Sequence, residues 1–270
     1  MCNRFYTHTS KICEWQFKKH KGIYFTRSNL HKLIFRLQFT TFLQNLGGNL
    51  NITKNGLPIG SFWGYNSEGV DPQTGDLIFT DNNGDGAITP EDKQVIGNPM
   101  PDFTYGFVNE FSYKNWDLNI VVDGVYGNEI YNTGKQNLQA MRFFENQSAD
   151  IVNRWRNPGD ITEIPRATLV DENGNADINS RWVEDGSFLR IRDISLSYNF
   201  DKNVLDALSI SGLRLYGNIK NWFTFTDYTG YSPEVNRALA GVDKTATTQG
   251  VDYGTFPQSK TFSVGLNIEF

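Results

Sequence analysis

Five stretches of this chain alternate apolar and polar side chains with a period of two, and no other feature restricts the fold as tightly. Phe103, Tyr105, Phe107, Phe111 and Tyr113 share one parity, against Thr104, Gly106, Glu110, Ser112 and Lys114 on the other. Trp116, Leu118, Ile120, Val122 and Tyr126 oppose Asp117, Asn119 and Asp123. A third run sets Ile194, Leu196, Tyr198 and Phe200 against Asp193, Ser195, Ser197 and Asn199. A fourth sets Leu213, Leu215, Ile219, Phe223 and Phe225 against Arg214, Asn218, Lys220 and Thr224. The fifth is the cleanest, with Phe262, Val264, Leu266, Ile268 and Phe270 against Ser263, Gly265, Asn267 and Glu269. Successive side chains of a strand point to opposite sides, so each run predicts a strand with one apolar and one polar face.

The links between these runs sort by length. A tight turn at Lys114-Asn115 is followed by a long segment (128–187), a moderate turn (201–212) and a second long segment (227–259). Transmembrane barrels have this rhythm, with short turns on the periplasmic side and long loops outside. The runs exceed the usual soluble strand of about five or six residues and suit a tilted bilayer crossing. An ordinary half-buried antiparallel sheet also alternates and is the plain structural alternative. With Leu37–Leu46 as a possible sixth member, five or six strands are too few for a single-chain barrel, which begins at about eight. Open edges in lipid would leave N–H and C=O groups unpaired at several kcal/mol each. The expectation is therefore an all-β, antiparallel transmembrane β-barrel segment, the C-terminal strands of a larger barrel.

The formal charge of −5 conceals a division. Residues 1–50 hold eight Lys/Arg against the single acid Glu14, a surplus of +7, leaving 17 basic against 29 acidic residues (−12) in 51–270. All His (His8, His20, His31) and both Cys (Cys2, Cys13) lie in that first stretch. Residues 51–270 thus contain no imidazole base, thiol nucleophile or Cys/His zinc site, and any metal there is a hard cation held by oxygens. The acidity argues against a nucleic-acid partner. No apolar run is long enough for a transmembrane helix. The basic stretch around Lys18-Lys19-His20-Lys21 is followed by no apolar core or cleavage site and does not read as a signal peptide. Residues 1–45 are read as an unassigned basic segment foreign to the fold, as a misassigned start or frame slip would produce. The fold proper is read as 46–270.

One local motif carries recognisable chemistry. From Asp81 to Asp92 the chain places side-chain oxygens at positions 1, 3, 5 and 12 (Asp81, Asn83, Asp85, Asp92) with Gly86 at position 6. An EF-hand-type calcium loop needs this spacing, with the carbonyl of Ala87 as the backbone ligand. Position 12 is Asp, as in dockerin loops, and the preceding Leu77-Ile78-Phe79-Thr80 is strand-like rather than helical. Two readings stand: a structural calcium site, or an Asx-rich turn that needs no metal. Thr89-Pro90-Glu91 reads as the start of a short helix. Arg154-Trp155-Arg156 could stack on a sugar or pair with carboxylates, or belong to an amphipathic loop helix over 136–156. Glu184 and Asp185 are adjacent in a strand, so they point apart and make a poor acid/base pair. With no nucleophile elbow, P-loop or dinucleotide fingerprint, the chain is not read as an enzyme.

Taken in order, several runs resemble the SusC/RagA family of TonB-linked outer-membrane transporters. They are 58–65 (PIGSFWGY), Gly75-Asp76 leading into 81–86 (DNNGDG), 96–101 (IGNPMP), 113–118 (YKNWDL), 187–198 (SFLRIRDISLSY), 221–235 (NWFTFTDYTGYSPEV) and 253–260 (YGTFPQSK). The resemblance covers 46–270 and implies the C-terminal part of a barrel of about 22 strands with an N-terminal plug. It implies import of glycans or peptides, energy from a TonB complex and a SusD-like surface lipoprotein as lid. Counted back from a periplasmic C-terminus, 61–102, 128–187 and 227–259 become extracellular loops, with Arg154, Trp155 and Tyr231 as candidate substrate or lid contacts. A soluble calcium-dependent carbohydrate-binding β-module is the rival reading.

Overall fold

The computed structural model describes residues 44–45, 50–235 and 249–270. Its largest element is a five-stranded sheet of β1 (Phe103–Tyr113), β2 (Trp116–Tyr126), β3 (Phe188–Asn199), β4 (Gly212–Thr226) and β5 (Thr261–Glu269). Spatial order follows chain order, and every pairing is antiparallel. These are the five strands the alternation predicts, and the fold is all-β. Lys114, at φ 53, turns β1 into β2. The link between β3 and β4 holds a short helix, α2 (Lys202–Leu208), which the strand periodicity did not foreshadow.

Register turns the sequence alternation into continuous rows. Tyr113, Trp116, Tyr198, Leu215 and Leu266 lie side by side across the five strands. The next rows on that face are Phe111–Leu118–Leu196–Gly217–Val264 and Asn109–Ile120–Ile194–Ile219–Phe262. The opposite face carries Ser112–Asp117–Ser197–Tyr216–Gly265 and Glu110–Asn119–Ser195–Asn218–Ser263. Cross-strand neighbours on one face are close enough to contact, so each row is a strip of mainly apolar or mainly polar character, with Asn109 and Tyr216 as exceptions. Gly265 leaves room for the Tyr216 ring in its row, since a Cβ there would stand 2.3 Å from the end of that ring and displace it. Aromatic residues collect at both ends of the apolar face. Trp116 and Tyr198 approach to 4.7 Å between ring centroids at the short-turn end, and Phe103 and Tyr126 stack at 5.2 Å at the other.

The packed core lies in the long links rather than in this sheet. Strands Asn51–Thr53, Ser61–Gly64 and Gln94–Gly97 form a small sheet joined by Gln44–Asn45. Glu129–Asn132 pairs antiparallel with Val183–Asp185 and parallel with Val251–Asp252. Leu50, Phe62, Tyr131, Trp182 and Val251 are buried together there, flanked by Ile96, Ile178 and Val183. Trp182 keeps its indole N–H satisfied by donating to the carbonyl of Asp177 at 3.0 Å. The segments read from sequence as loops are therefore one folded cap at the far end of the long strands.

Two local expectations change. The helix expected over 136–156 is confined to α1 (Thr133–Gln139), followed by irregular chain and a 3₁₀ turn at Ala149–Asn153. Met141 adopts φ 50, and a left-handed residue ends an α-helix. Of the proposed sixth strand, only Gln44–Asn45 is among the described residues, and it pairs with Asn51–Thr53 rather than with the long sheet. The remainder, and with it the basic segment's other residues, lies outside them. Because the cap core is separate from the long sheet, Trp182→Ala should cost about 3–5 kcal/mol within the cap. Denaturant unfolding of the detergent-solubilised chain should then show the near-ultraviolet signal lost early, with the far-ultraviolet strand signal retained.

Candidate functional site

The cap is fastened to the polar face of the sheet by a charge cluster on β3. Arg190 pairs across the strands with Asp123 on β2 and Thr224 on β4. Against β2 the register slips between Ile191 and Asp193, so Arg192 is an extra residue in β3, while against β4 the extra residue lies in β4, between Lys220 and Phe223. A bulge of this kind re-aims a side chain and resets parity, which is why Ile191 and Ile194 both fall on the apolar face. Arg192 grips Asp123 through two hydrogen bonds, Nε to Oδ1 at 2.7 Å and Nη2 to Oδ2 at 2.6 Å. Its Nη2 also reaches Glu234 Oε1 at 2.7 Å. Arg190, only 3% exposed, donates from Nε to Thr224 Oγ1 at 2.9 Å and from Nη1 to Glu234 Oε2. Glu234 is thereby held by two guanidinium groups that lie two residues apart.

Two further contacts hold the same returning segment. Glu184 accepts from the Thr229 amide at 2.9 Å and its hydroxyl at 2.8 Å, and pairs with Lys135 on α1 at 2.9 Å. Burial by itself would raise the Glu184 carboxyl, but the Thr229 and Lys135 contacts outweigh it and hold the group below the usual carboxylate range. Tyr228 donates to Asp252 Oδ2 at 2.5 Å, and burial followed by the Asp252 charge raises its phenol well above the ordinary value. On the other side of α1, Arg181 lies over the Trp182 ring at 4.4 Å and donates from Nη2 to Gln139 Oε1 at 2.7 Å. Burial brings the Arg181 guanidinium down to about 10.

The Asp81–Asp92 loop is internally bonded. Asp81 accepts from the amides of Gly84 at 2.7 Å and Gly86 at 2.8 Å, Asn83 from Asp85 at 2.9 Å, and Asp85 from Ala87 at 2.8 Å. Gly84 and Gly86 take φ 75 and 83, which glycine adopts without strain. Thr89 caps the 3₁₀ turn Pro90–Asp92 in a reciprocal box with Asp92, as the Thr-Pro-Glu signal predicts. Asp92 is buried and accepts from the amides of Thr89 at 2.7 Å and Asn82 at 3.0 Å, the first of which does most to hold its carboxyl below the usual range. The donor types suit a hard cation. Among the described residues, no three His, Cys, Asp or Glu side chains gather into a group able to hold a metal as they stand.

The other sequence candidates separate. Trp155 packs against Gly75, where a Cβ would meet its ring at 2.3 Å, and its indole N–H donates to the Pro72 carbonyl at 2.9 Å. It is a structural prop, not a free stacking platform. Arg154 and Arg156 donate to the carbonyls of Ile151 and Val152. Tyr231, 77% exposed, does present an open ring. Asp185 turns away from Glu184 and accepts from the Ser187 amide at 2.8 Å. The Arg190, Arg192, Asp123 and Glu234 cluster was not singled out from sequence. The available signal was a pair of arginines two apart inside the apolar run Phe188–Ile194.

A curated relative of this chain is the TonB-dependent receptor P3 of Formosa agariphila, 36% identical over 234 residues, 81% of this chain and 23% of that protein. The chain belongs with the TonB-dependent receptors of the SusC/RagA kind. TonB-dependent receptor P26 of the same organism is 35% identical over 74% of the chain, and SusC of Bacteroides thetaiotaomicron 27% over 72%. Among solved structures, the RagAB peptide importer in its closed-closed state superposes with a TM-score of 0.70 at 21% identity, covering 87% of this chain. Its open-open state gives 0.68 at 22%. No protein-family profile matches. The chain spans about a quarter or less of the length of these relatives.

Removing Glu234 leaves Arg190 buried beside Arg192 without its carboxylate, and breaking a buried pair on one side costs about 3–5 kcal/mol. Glu234→Ala should therefore release the segment around 229–235, seen as faster amide hydrogen exchange there with the long strands unchanged. Because the folded Glu184 carboxyl is depressed, its tether is fully present above the unfolded value of about 4.3 and is lost as pH falls through the lower folded value. Thr229 amide exchange should accelerate across that acidic window in the native chain and be insensitive to it in Glu184→Gln.

Proposed function

We propose that this chain supplies part of the wall and outer cap of a TonB-dependent importer in a Gram-negative outer membrane. The observation that carries this is the sheet itself: three in-register rows on one face dominated by exposed apolar side chains, bounded by aromatic residues at both ends. Lipid favours an apolar band between aromatic girdles, and a wet interior favours the Ser, Asn, Asp and Glu rows opposite. On this reading β1–β5 are C-terminal barrel strands, and the segments 61–102, 128–187 and 227–259 face outside. Partners would be a TonB complex for energy and a SusD-like surface lipoprotein over the cap. The cargo would be an oligosaccharide or peptide, with no enzymatic step and no nucleic acid.

Spin labels at Phe107, Leu118 and Val264 in liposome-reconstituted chain should be relaxed by dissolved oxygen. Labels at Glu110, Asn119 and Ser263 should instead respond to a water-soluble nickel chelate. Recovery of the chain as a soluble monomer without detergent would overturn the barrel assignment and favour a soluble carbohydrate-binding module.

A second reading concerns the Asp81–Asp92 loop, which we propose as a structural calcium site of the outer face. It is supported by the twelve-residue spacing and by single occupancy of the Asp81 oxygens, each of which accepts one amide and retains further lone pairs. Asp81, Asn83, Asp85 and Asp92, with the Ala87 carbonyl, would supply the oxygens. Calcium titrated into the detergent-solubilised chain should give saturable heat that disappears in Asp81→Ala and Asp85→Ala. The absence of heat in the native chain would leave a hydrogen-bonded turn.

A further inference from the structure

A cavity of about 250 Å³ lies between α1 and the turn at 229–231. Three polar side chains in its lining are more than nine-tenths buried: Asn132 (4% exposed), Gln139 (7%) and Asp252 (2%). Each has one end firmly engaged. Asn132 Oδ1 accepts from the Lys135 amide at 2.8 Å, and Gln139 Oε1 accepts from Arg181 at 2.7 Å. These contacts fix which end of each amide is the acceptor. The NH₂ ends are poorly used. Asn132 Nδ2 reaches Glu184 and Thr229 only at 3.4 Å, and Gln139 Nε2 reaches Asp150 only at 3.4 Å. Good N–H···O bonds fall at about 2.7–3.2 Å, so both donors hold spare capacity.

The rest of the lining narrows the chemistry. Asp252 is mostly engaged, taking the Gly254 and Thr255 amides at 2.8 Å on Oδ1 and Tyr228 on Oδ2. Lys135 is committed to Glu184. Asp150 takes the Ser148 hydroxyl at 2.8 Å and the long Gln139 contact, both on Oδ2, so it retains acceptor capacity. Tyr231 offers its ring close by. Spare amide donors, one spare carboxylate acceptor and an aromatic face suit adjacent hydroxyls on an otherwise apolar ring. An anion would meet Asp150 and Asp252, both of which line the cavity. The volume falls below the range of about 300–1,000 Å³ typical of drug-sized sites and suits one ring better than an extended chain.

We infer that this cavity binds a single neutral sugar unit. Asn132 and Gln139 would donate to its hydroxyls, Asp150 would accept from one, and Tyr231 would cover its apolar face. The assignment deepens the importer reading and rests on it for the role of the site in transport. It is tested by saturation-transfer NMR on the full chain in detergent micelles, with maltotriose, mannobiose, galactobiose and trialanine as probes. At least one saccharide should give transfer signals, with the apparent Kd raised about tenfold or more in Tyr231→Ala and Asp150→Asn. Both substitutions lie at solvent-accessible positions, and an unchanged circular-dichroism spectrum verifies folding. Silence from all three saccharides, or signals that survive both substitutions, overturns the inference. So does binding of trialanine that the substitutions abolish, which would make the site a peptide site. None of these outcomes bears on the lipid exposure of β1–β5, so the importer reading fails or stands separately.

Discussion

The register of the antiparallel ladder from β1 to β5 governs the rest of the molecule. Because side chains alternate strictly along a strand, a slip of one residue in any pairing would carry apolar side chains onto the polar face. The rows through Trp116, Leu118 and Ile120 remain unbroken from β1 to β5 because every strand keeps step. Where β3 does slip, at Arg192, the extra residue falls among charged and polar groups rather than in the apolar band. The irregularity is thus confined to the end of the sheet where the cap attaches, and there it gives both arginines access to one carboxylate.

That attachment is electrostatic while the cap interior is hydrophobic, and the two have different consequences. Phe62, Tyr131 and Trp182 pack without direction, so the cap core tolerates adjustment as long as volume is kept. The Arg190, Arg192, Asp123 and Glu234 contacts are directional, and loss of Glu234 leaves the buried Arg190 without its carboxylate. Glu184, Thr229 and Lys135 repeat the arrangement on a smaller scale. The segment running from Tyr228 to Glu234 is therefore held at three points, and it also forms one wall of the cavity beside α1.

Legibility from sequence followed the range of the interaction. Four of the five long strands were readable nearly to the residue, since alternation records a face that each strand exposes along its length, whereas β3 begins at Phe188, before the bulge that breaks its alternation. The capped turn at Thr89–Asp92 was readable for the same reason, because its hydrogen bonds close within four residues. The helix over 136–156 was overextended, since an amphipathic count does not register a left-handed residue such as Met141. Trp155 resembled a ligand platform because sequence does not show Gly75 beneath its ring.

By itself, then, the sequence left the short strands inside the links unmarked but determined where the five long strands lie, which face of each is apolar, and where short and long links fall. All of these depend on neighbours within a few residues. Only the tertiary structure decided that the long links share a core, that Glu234 returns to Arg190 and Arg192 some 40 residues away, and that α1 and the 229–231 turn enclose a cavity. Contacts at that separation depend on where the chain comes back to itself. Local periodicity carries no record of that path.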